Sequence, residues 1–427
     1  MRAEKRLGDT KMGVDISQKS QIIAVTGTKG KTSVVRALHH AVQSALRRDV
    51  LSVDTHRIYI GDRKIMSAND SMRLFGVGST VCPGKFLYAL YGQSEPVAIL
   101  EASLGSNRAA GLGYWSHQVG VFTNVYDDHI GRDYLQTREQ LAEEKAFIFR
   151  QIRKNGFAVY GADNDLVVKQ LSAIRPDRSI RTIACTLSSK ANPSADFVAK
   201  VEGDKIVILE KTKRLAAIDI ADHSWILGGK HQPTLYNALF IFAALFTFFF
   251  DDRNLFDRAV DALKSYWPDE RGGRMVIKTA SNGAKIILDF AHEYQSLTNV
   301  ADFARTLVSG KGRVIGVVRM TGTRPDEHIL STAAKFVSHY DELFIYEKEN
   351  DDDSPSERKP GDAPQLIKRA ADNLGVPATV VLDKQEALKA AYDVSTANDV
   401  IIYIIHSSTD SYEVADSVFK FRKEDGK

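Results

Sequence analysis

The sequence predicts an α/β protein: a P-loop ATPase-type central domain with a mainly parallel sheet, followed by a smaller Rossmann-like C-terminal domain. Three observations lead there. Short apolar, strand-like runs alternate with helical stretches along the chain, the pattern of strand–helix–strand units. A glycine-bearing loop, Gly27-Thr-Lys-Gly30-Lys31-Thr32, joins the first of those runs to a helical pattern. At Trp267-Pro268-Asp-Glu-Arg-Gly-Gly-Arg274 a proline and two glycines interrupt the alternation, which then resumes as a second series. The expected organisation is an N-terminal extension at 1–20, a central ATP-binding domain at 21–268 and a C-terminal domain at 269–427.

A chain of 427 residues has room for two or three domains with cores of their own. Its net charge of +3 is too small to set up a nucleic-acid or membrane field. Cys82 and Cys185 match no metal-ligand spacing, and their reduced state fits a cytoplasmic location. Residues 1–20 are polar and mixed in charge, without the apolar core of a signal peptide.

The first strand, Ile22 to Val25, runs into the glycine loop. Val35, Leu38, Val42 and Leu46 then recur at helical spacing. Strand, glycine loop and helix together form a phosphate cradle. Thr26, Gly27, Thr28, Lys29 and Gly30 offer backbone N–H groups, Lys31 reaches the β- and γ-phosphates, and Thr32 and Ser33 open the helix, with the Thr32 hydroxyl placed for Mg²⁺. A plain glycine turn is the alternative.

Val97 to Leu100 predicts a second strand, ending in Glu101, where a metal-binding carboxylate of an ATPase would stand; an ordinary strand-end glutamate is the other possibility. Val119 to Val125 predicts a third, running into Asn124 and Asp127-Asp128-His129. That stretch gathers oxygen and imidazole donors suited to Mg²⁺, or forms a solvated loop. Gly156 to Tyr160 follows as a fourth strand, and short alternating segments between Ala195 and Ile220 predict an antiparallel flap. Ala238 to Phe250 is almost wholly apolar but too short to span a bilayer, which takes about 20 residues; it reads as a buried helix, with an interfacial anchor as the alternative.

Beyond the boundary the expected strands are Ile286–Asp289, Arg313–Val318, Leu343–Tyr346, Ala378–Leu382 and Val400–Ile405. Helices at 327–338, 363–373 and 384–395 lie between them. This series carries no glycine-rich dinucleotide fingerprint, which argues against NAD. The loop from Glu347 to Asp362 is rich in acidic residues and ends in Arg358-Lys359-Pro360-Gly361.

Taken in order, these motifs resemble the Mur ligases, ATP-dependent enzymes that join a carboxylate to the amine of an amino acid. The P-loop, Glu101, and Asn124 followed by Asp128-His129 all have counterparts there, as does Lys145 in Thr137-Arg-Glu-Gln-Leu-Ala-Glu-Glu-Lys145. Gly161-Ala-Asp163-Asn resembles a turn of the family, and Asn237 stands where the family keeps an asparagine near adenine. Arg274 matches an arginine at the nucleotide phosphates. Asp289-Phe-Ala-His292 is similar to a motif holding ribose and phosphate.

The resemblance implies ATP and two Mg²⁺ sites, one held by Thr32 and Glu101, the other by His129 and a carbamylated Lys145. Read from the residues alone, Lys145 is an exposed helix lysine. The resemblance further implies Lys31, His129 and Lys145 as catalytic residues, and closure of the second domain over the nucleotide.

Within the family, Asp127-Asp128-His129-Ile-Gly131 and Gly322-Thr-Arg324-Pro-Asp-Glu-His-Ile resemble the Mur-like half of cyanophycin synthetase, which attaches arginine to the β-carboxylate of an aspartate in a polymer. Arg324 and Arg358 are the candidates for holding a substrate carboxylate, a role guanidinium geometry suits; surface loop arginines are the alternative. Glu293-Tyr294 after His292, and Ile405-His406-Ser-Ser after the last strand, depart from that pattern, so arginine specificity does not follow. Neither an N-terminal carrier-binding domain nor an ATP-grasp half is expected.

The expected function is an ATP-dependent amide ligase acting on an amino acid and a carboxylate-bearing peptide or small molecule, alone, as a homo-oligomer or beside a partner enzyme. A non-catalytic ATP-binding subunit, an ATP-driven switch and folate polyglutamylation are the competing readings.

Overall fold

A computed structural model describes residues 19–75, 78–90, 92–103, 112–126, 135–174, 179–188, 194–269, 273–320, 322, 324–347, 358–405 and 411–422. The chain divides into two compact units, Met1–Trp267 and Pro268–Lys427.

The first unit is organised on an 11-stranded sheet. Its strands are β1 (Gln21–Thr26), β2 (Leu51–Val53), β3 (Arg57–Ile60), β4 (Arg63–Ser67), β5 (Val97–Glu101), β6 (His117–Phe122), β7 (Ile152–Gly161), β8 (Arg181–Thr186), β9 (Phe197–Glu202), β10 (Lys205–Glu210) and β11 (Lys213–Asp219). Their order across the sheet is β11-β10-β9-β8-β7-β6-β1-β5-β2-β3-β4. The stretch from β9 to β2 is parallel throughout. An antiparallel extension closes each edge, β10 and β11 on one side and β3 and β4 on the other. The segment expected as a flap is therefore a continuation of the main sheet.

Alternation along the central strands divides the core in two, because successive side chains point to opposite faces. Ile23, Val25, Val97, Ile99, Val119 and Val121 face one side, packed with the helices Lys31–Leu46 and Gln232–Phe248. Ile22, Ala24, Ala98, Leu100, Phe122 and Tyr160 face the other, with Leu141, Phe149 and Leu171. All five residues of β5 are buried, as expected of a parallel strand covered on both faces. The apolar run beginning at Ala238 lies inside the first of these cores, which accounts for its hydrophobicity without a membrane. No described helix is long and apolar enough to cross a bilayer.

The second unit carries a six-stranded sheet built from β12 (Val276–Thr279), β13 (Lys285–Asp289), β14 (Val314–Val318), β15 (Glu342–Ile345), β16 (Ala378–Val380) and β17 (Val400–Ile404), in the order β12-β13-β17-β14-β15-β16. Only β12 runs antiparallel. The last strand thus sits between β13 and β14. Asp399, buried at its start, accepts the Arg313 N–H at 2.6 Å and the Thr396 N–H at 2.7 Å, tying β17 to the beginning of β14.

Candidate nucleotide and metal site

Three neighbouring parallel strands, β6, β1 and β5, end side by side, and the residues that follow them meet. The carboxyl ends of parallel strands are where open α/β sheets place ligands. Thr26 closes β1, buried, and its hydroxyl donates to Ala102 O at 2.8 Å, just past β5. Gly27 and Gly30 both have positive φ, +143° and +86°. A side chain at Gly27 would collide with Thr123 Oγ1, and one at Gly30 with Asn237 Oδ1. Glycine is required here on both counts, conformation and space.

The loop is held from the β6 side. Thr28 N–H donates to Asn124 O at 2.8 Å and Lys29 N–H to Asn124 Oδ1 at 2.9 Å, while Thr123 Oγ1 donates to Lys29 O at 2.7 Å. Tyr126 N–H completes the clasp by donating to Thr28 Oγ1 at 3.1 Å. These bonds explain why β6 stops at Phe122, short of the expected Val125. They also commit the Thr28 and Lys29 amides, expected at phosphate, to Asn124. Gly30 then caps the helix Lys31–Leu46. Lys31 Nζ donates to Thr28 O at 3.2 Å, and Ser33 is half-buried in the first turn.

Thr32 Oγ1 donates to Glu101 Oε2 at 2.9 Å, so the two expected ligands of one metal are in contact. Glu101 is 1% exposed. Its carboxylate has a second holder that the sequence reading missed: Thr55 donates its hydroxyl to Oε1 at 2.8 Å and its N–H to Oε2 at 3.2 Å. Thr55 follows the three-residue strand β2, which pairs with β5, and no spacing in the sequence announces that neighbour. Beside it, buried Asp54 accepts Arg36 Nε at 2.8 Å and Arg57 Nε at 3.1 Å. Burial pushes the Asp54 carboxyl up, but the Arg36 charge and hydrogen bond outweigh it, and the group sits below the usual carboxylate range.

Lys145 is buried, not an exposed helix lysine, and its Nζ donates to Ser103 O at 2.6 Å, two residues beyond Glu101. The helix Arg138–Lys145 that delivers it starts with a capping box between Thr137 and Gln140. His129 and the adjoining Asp127 and Asp128 lie outside the described residues. Among the described residues no group of three His, Cys, Asp or Glu side chains is arranged to hold a metal. The donors that are described, Thr32 and Glu101, are oxygen ligands of the kind Mg²⁺ takes. Asn164 Nδ2 donates to Val125 O at 3.0 Å, and Asp163 is occupied by the Thr186 hydroxyl and the Leu187 N–H.

In the second unit Asp289 ends β13 and accepts the Met275 N–H at 2.9 Å. Burial raises its carboxyl above the usual range, against the pull of that N–H and of the Arg274 and His292 charges. Arg274 lies 6.0 Å from the centre of the Phe290 ring, and the His292 ring is 5.7 Å from it, with Nδ1 against Phe290 O at 2.9 Å. Glu293, one of the departures noted in the sequence, caps the helix Tyr294–Arg305 by accepting the Gln295 and Ser296 N–H groups, each at 2.9 Å. The guanidinium of Arg358 donates to Gly322 O at 2.8 Å and Arg324 O at 2.6 Å and pairs with Asp326. Arg324 Nη1 is 2.9 Å from His328 Nε2. Arg358 therefore grips the loop that carries Arg324.

Comparison with known proteins gives the family and the fold. The family model of the Mur ligase middle domain matches residues 25–245, and that of the Mur ligase glutamate ligase domain matches residues 273–404. Cyanophycin synthetase of a Nostoc species is 26% identical over 410 residues, covering 92% of this chain. The chain spans only 42% of that protein's length. UDP-N-acetylmuramoyl-L-alanyl-D-glutamate–2,6-diaminopimelate ligase of Parabacteroides distasonis is 23% identical over 412 residues, 94% of this chain and 75% of that protein. The bifunctional folylpolyglutamate synthase/dihydrofolate synthase of Yersinia pestis, solved also with AMPPNP and a Mn ion, has the same fold: TM-score 0.67, 18% identity, covering 97% of this chain and 93% of that one for the first of these structures. With its middle-domain match alone extending over half the sequence, the chain belongs to the Mur ligase family.

Proposed function

We propose that the chain is an ATP-dependent acid–amino-acid ligase, joining an amine to a carboxylate through an acyl-phosphate with release of ADP and phosphate. The observation that carries this reading is the contact of the P-loop hydroxyl of Thr32 with the strand-end carboxylate of Glu101, in a loop clasped by Asn124.

The residue roles belong to the same reading. Thr26 and Gly27 lead the strand into the loop, and Thr28 and Lys29 fix its shape. Gly30 and the first-turn amides through Ser33 face phosphate at a helix N-terminus, and Lys31 neutralises the β- and γ-phosphates. Thr32 and Glu101 would hold one Mg²⁺, and His129 with a carbamylated Lys145 would hold a second. Mg²⁺ held there would supply positive charge against the phosphates, the main catalytic resource in such reactions. Asn237, Arg274, Asp289 and His292 are assigned to the nucleotide. Arg324 is assigned to a carboxylate of the amine substrate, with Arg358 holding its loop in place. The substrate class is an amino acid added to a carboxylate-bearing peptide or small molecule, with cyanophycin-like peptides the first acceptors to try.

The test is phosphate release from ATP and Mg²⁺ over a panel of amino acids, with and without β-aspartyl-arginine or poly-aspartate, followed by mass spectrometry of the products. Release that needs both an amine and a carboxylate, with a product one residue heavier, is expected. Hydrolysis indifferent to both substrates would replace the ligase by an ATP-driven switch.

A further inference from the structure

Asp54 follows β2 directly and is fully buried. With Arg57, the first residue of β3, it flanks a two-residue loop, Thr55-His56. Hairpin loops of that length are usually built with positive φ, which suits Asn and Gly. Neither Thr55 nor His56 has positive φ. The loop takes its shape from Asp54 instead. Asp54 Oδ1 accepts the His56 N–H at 2.8 Å and the Arg57 N–H at 3.0 Å, and the Asp54 N–H donates to Arg57 O at 2.9 Å. The Asp54 carbonyl accepts the Ser79 hydroxyl at 2.7 Å. A carboxylate that accepts the N–H groups just downstream of it fixes a turn that the loop residues do not favour by themselves.

The other carboxylate oxygen reaches the P-loop helix. Asp54 Oδ2 accepts Arg36 Nε at 2.8 Å and Arg57 Nε at 3.1 Å. Arg36 lies on the helix Lys31–Leu46, one turn beyond Thr32 and on the same face. Thr32 holds Glu101 from that helix, and Thr55, next to Asp54, holds it from the loop. The contacts close a circuit: Thr32, Glu101, Thr55, Asp54, Arg36, and back along one helical turn to Thr32. Stability alone does not account for a buried ion pair here, since apolar side chains of similar volume commonly do as well or better. Apolar side chains would not hold the two N–H groups of the loop, and with them the place of the Thr55 hydroxyl.

We propose that Asp54, anchored by Arg36, is a positioning residue for the metal carboxylate: it sets the loop from which Thr55 orients Glu101, and so determines how strongly a divalent cation couples to nucleotide. This role rests on the assignment of Thr32 and Glu101 to Mg²⁺; Asp54 acts only through Thr55.

The experiment measures binding of a non-hydrolysable ATP analogue to the full chain by calorimetry, once with excess Mn²⁺ and once with EDTA. The ratio of the two affinities reports the metal's share, and the EDTA value shows whether the nucleotide loop itself is intact. Circular dichroism checks the folding of each variant. In Asp54→Asn the amide oxygen keeps the His56 and Arg57 N–H groups, but its Nδ2 opposes Arg36. The ratio is expected to fall about tenfold, the lower end for groups that orient a metal ligand, with the EDTA affinity within about twofold of wild type. Arg36→Gln should lower the ratio likewise, and Arg36→Lys, which keeps the charge, should lose less. Combined with Thr55→Val, Asp54→Asn is expected to cost less than the product of the two single effects, because both act on one carboxylate. The proposal is overturned if folded Asp54→Asn keeps the wild-type ratio, if its EDTA affinity falls as far as its Mn²⁺ affinity, or if the two substitutions multiply as independent sites do. Should Asp54→Asn not fold, the two Arg36 variants decide in the same way. An unchanged ratio in Glu101→Gln would remove the metal site and the proposal with it. A ratio that depends on Asp54 in a chain without amine-dependent phosphate release would leave the positioning role standing and remove the ligase reading.

Discussion

Thr55 holds both oxygens of Glu101, its hydroxyl on Oε1 at 2.8 Å and its N–H on Oε2 at 3.2 Å, while Thr32 reaches the same carboxylate from the P-loop. The carboxylate is thereby oriented before any metal arrives. Thr55→Val removes the Oε1 bond and keeps the shape. Groups that orient a metal ligand typically contribute 10–100-fold, so phosphate release is expected to fall by about that factor at low Mg²⁺. Part of the loss should return at high Mg²⁺, and Thr55→Ser should stay near wild type. A Mg²⁺ titration of turnover in the three proteins checks this; identical curves would reduce Thr55 to a packing residue.

Gly30→Ala places a methyl group against Asn237 Oδ1 in a backbone conformation that L-residues rarely adopt. The strain is worth about 1–3 kcal/mol, and the loop must shift to relieve it. The melting temperature is expected to drop, and affinity for a non-hydrolysable ATP analogue to weaken more than stability alone would require. Asn237→Ala in the same background opens the space and should recover part of the affinity. Equilibrium binding of the analogue to the three proteins measures it.

Lys31→Ala is expected to lower amine-dependent phosphate release by at least about 10²-fold, the usual cost of a lost charge-stabilising contact. Near-normal turnover in that variant would be incompatible with the proposed chemistry.

Lys145 is buried beside the Glu101 strand end. If it acts as a carbamate, turnover should decline in CO₂-depleted buffer and recover on adding bicarbonate, while Lys145→Met stays inactive under both conditions. Turnover unaffected by CO₂ would leave Lys145 as a buried ammonium group. Steady-state rates in matched buffers separate the two.

Asp54 sits below its ordinary pKa through Arg36, so its contribution to stability is present above about pH 4, the unfolded value, and is lost as pH falls through the lower folded value. Arg36→Leu removes the main opposing charge and leaves the carboxylate buried. The expected cost is on the order of 3 kcal/mol at neutral pH, with acid unfolding beginning at a higher pH than in wild type. Thermal melts from pH 7 to pH 3 check both the size and the sign.

The parts of the site that could be read from the sequence are those at the ends of apolar runs. Glu101 closes Val97–Leu100, Asn124 follows β6, and the two glycines mark their own loop. Each motif is local, and the parallel pairing of β6, β1 and β5 then brings the motifs together. Thr55 was not legible. The strand before Thr55 is three residues long, too short to show a period, and its value depends on pairing with β5. Strands β3, β4 and β12, at or next to a sheet edge, escaped notice because they carry as many half-exposed or exposed positions as buried ones, or more.

The placement of β17 between β13 and β14 has a consequence for synthesis. In the first unit, β1, β5 and β6 can pair once residue 122 has left the ribosome. In the second, β13 and β14 are made early but have no shared partner until Val400–Ile404 emerges. Pairing over so long a separation is slow, and the waiting strands expose apolar edges. The second unit is therefore expected to stay a client of chaperones until nearly its whole length is made, while the nucleotide loop of the first is already formed.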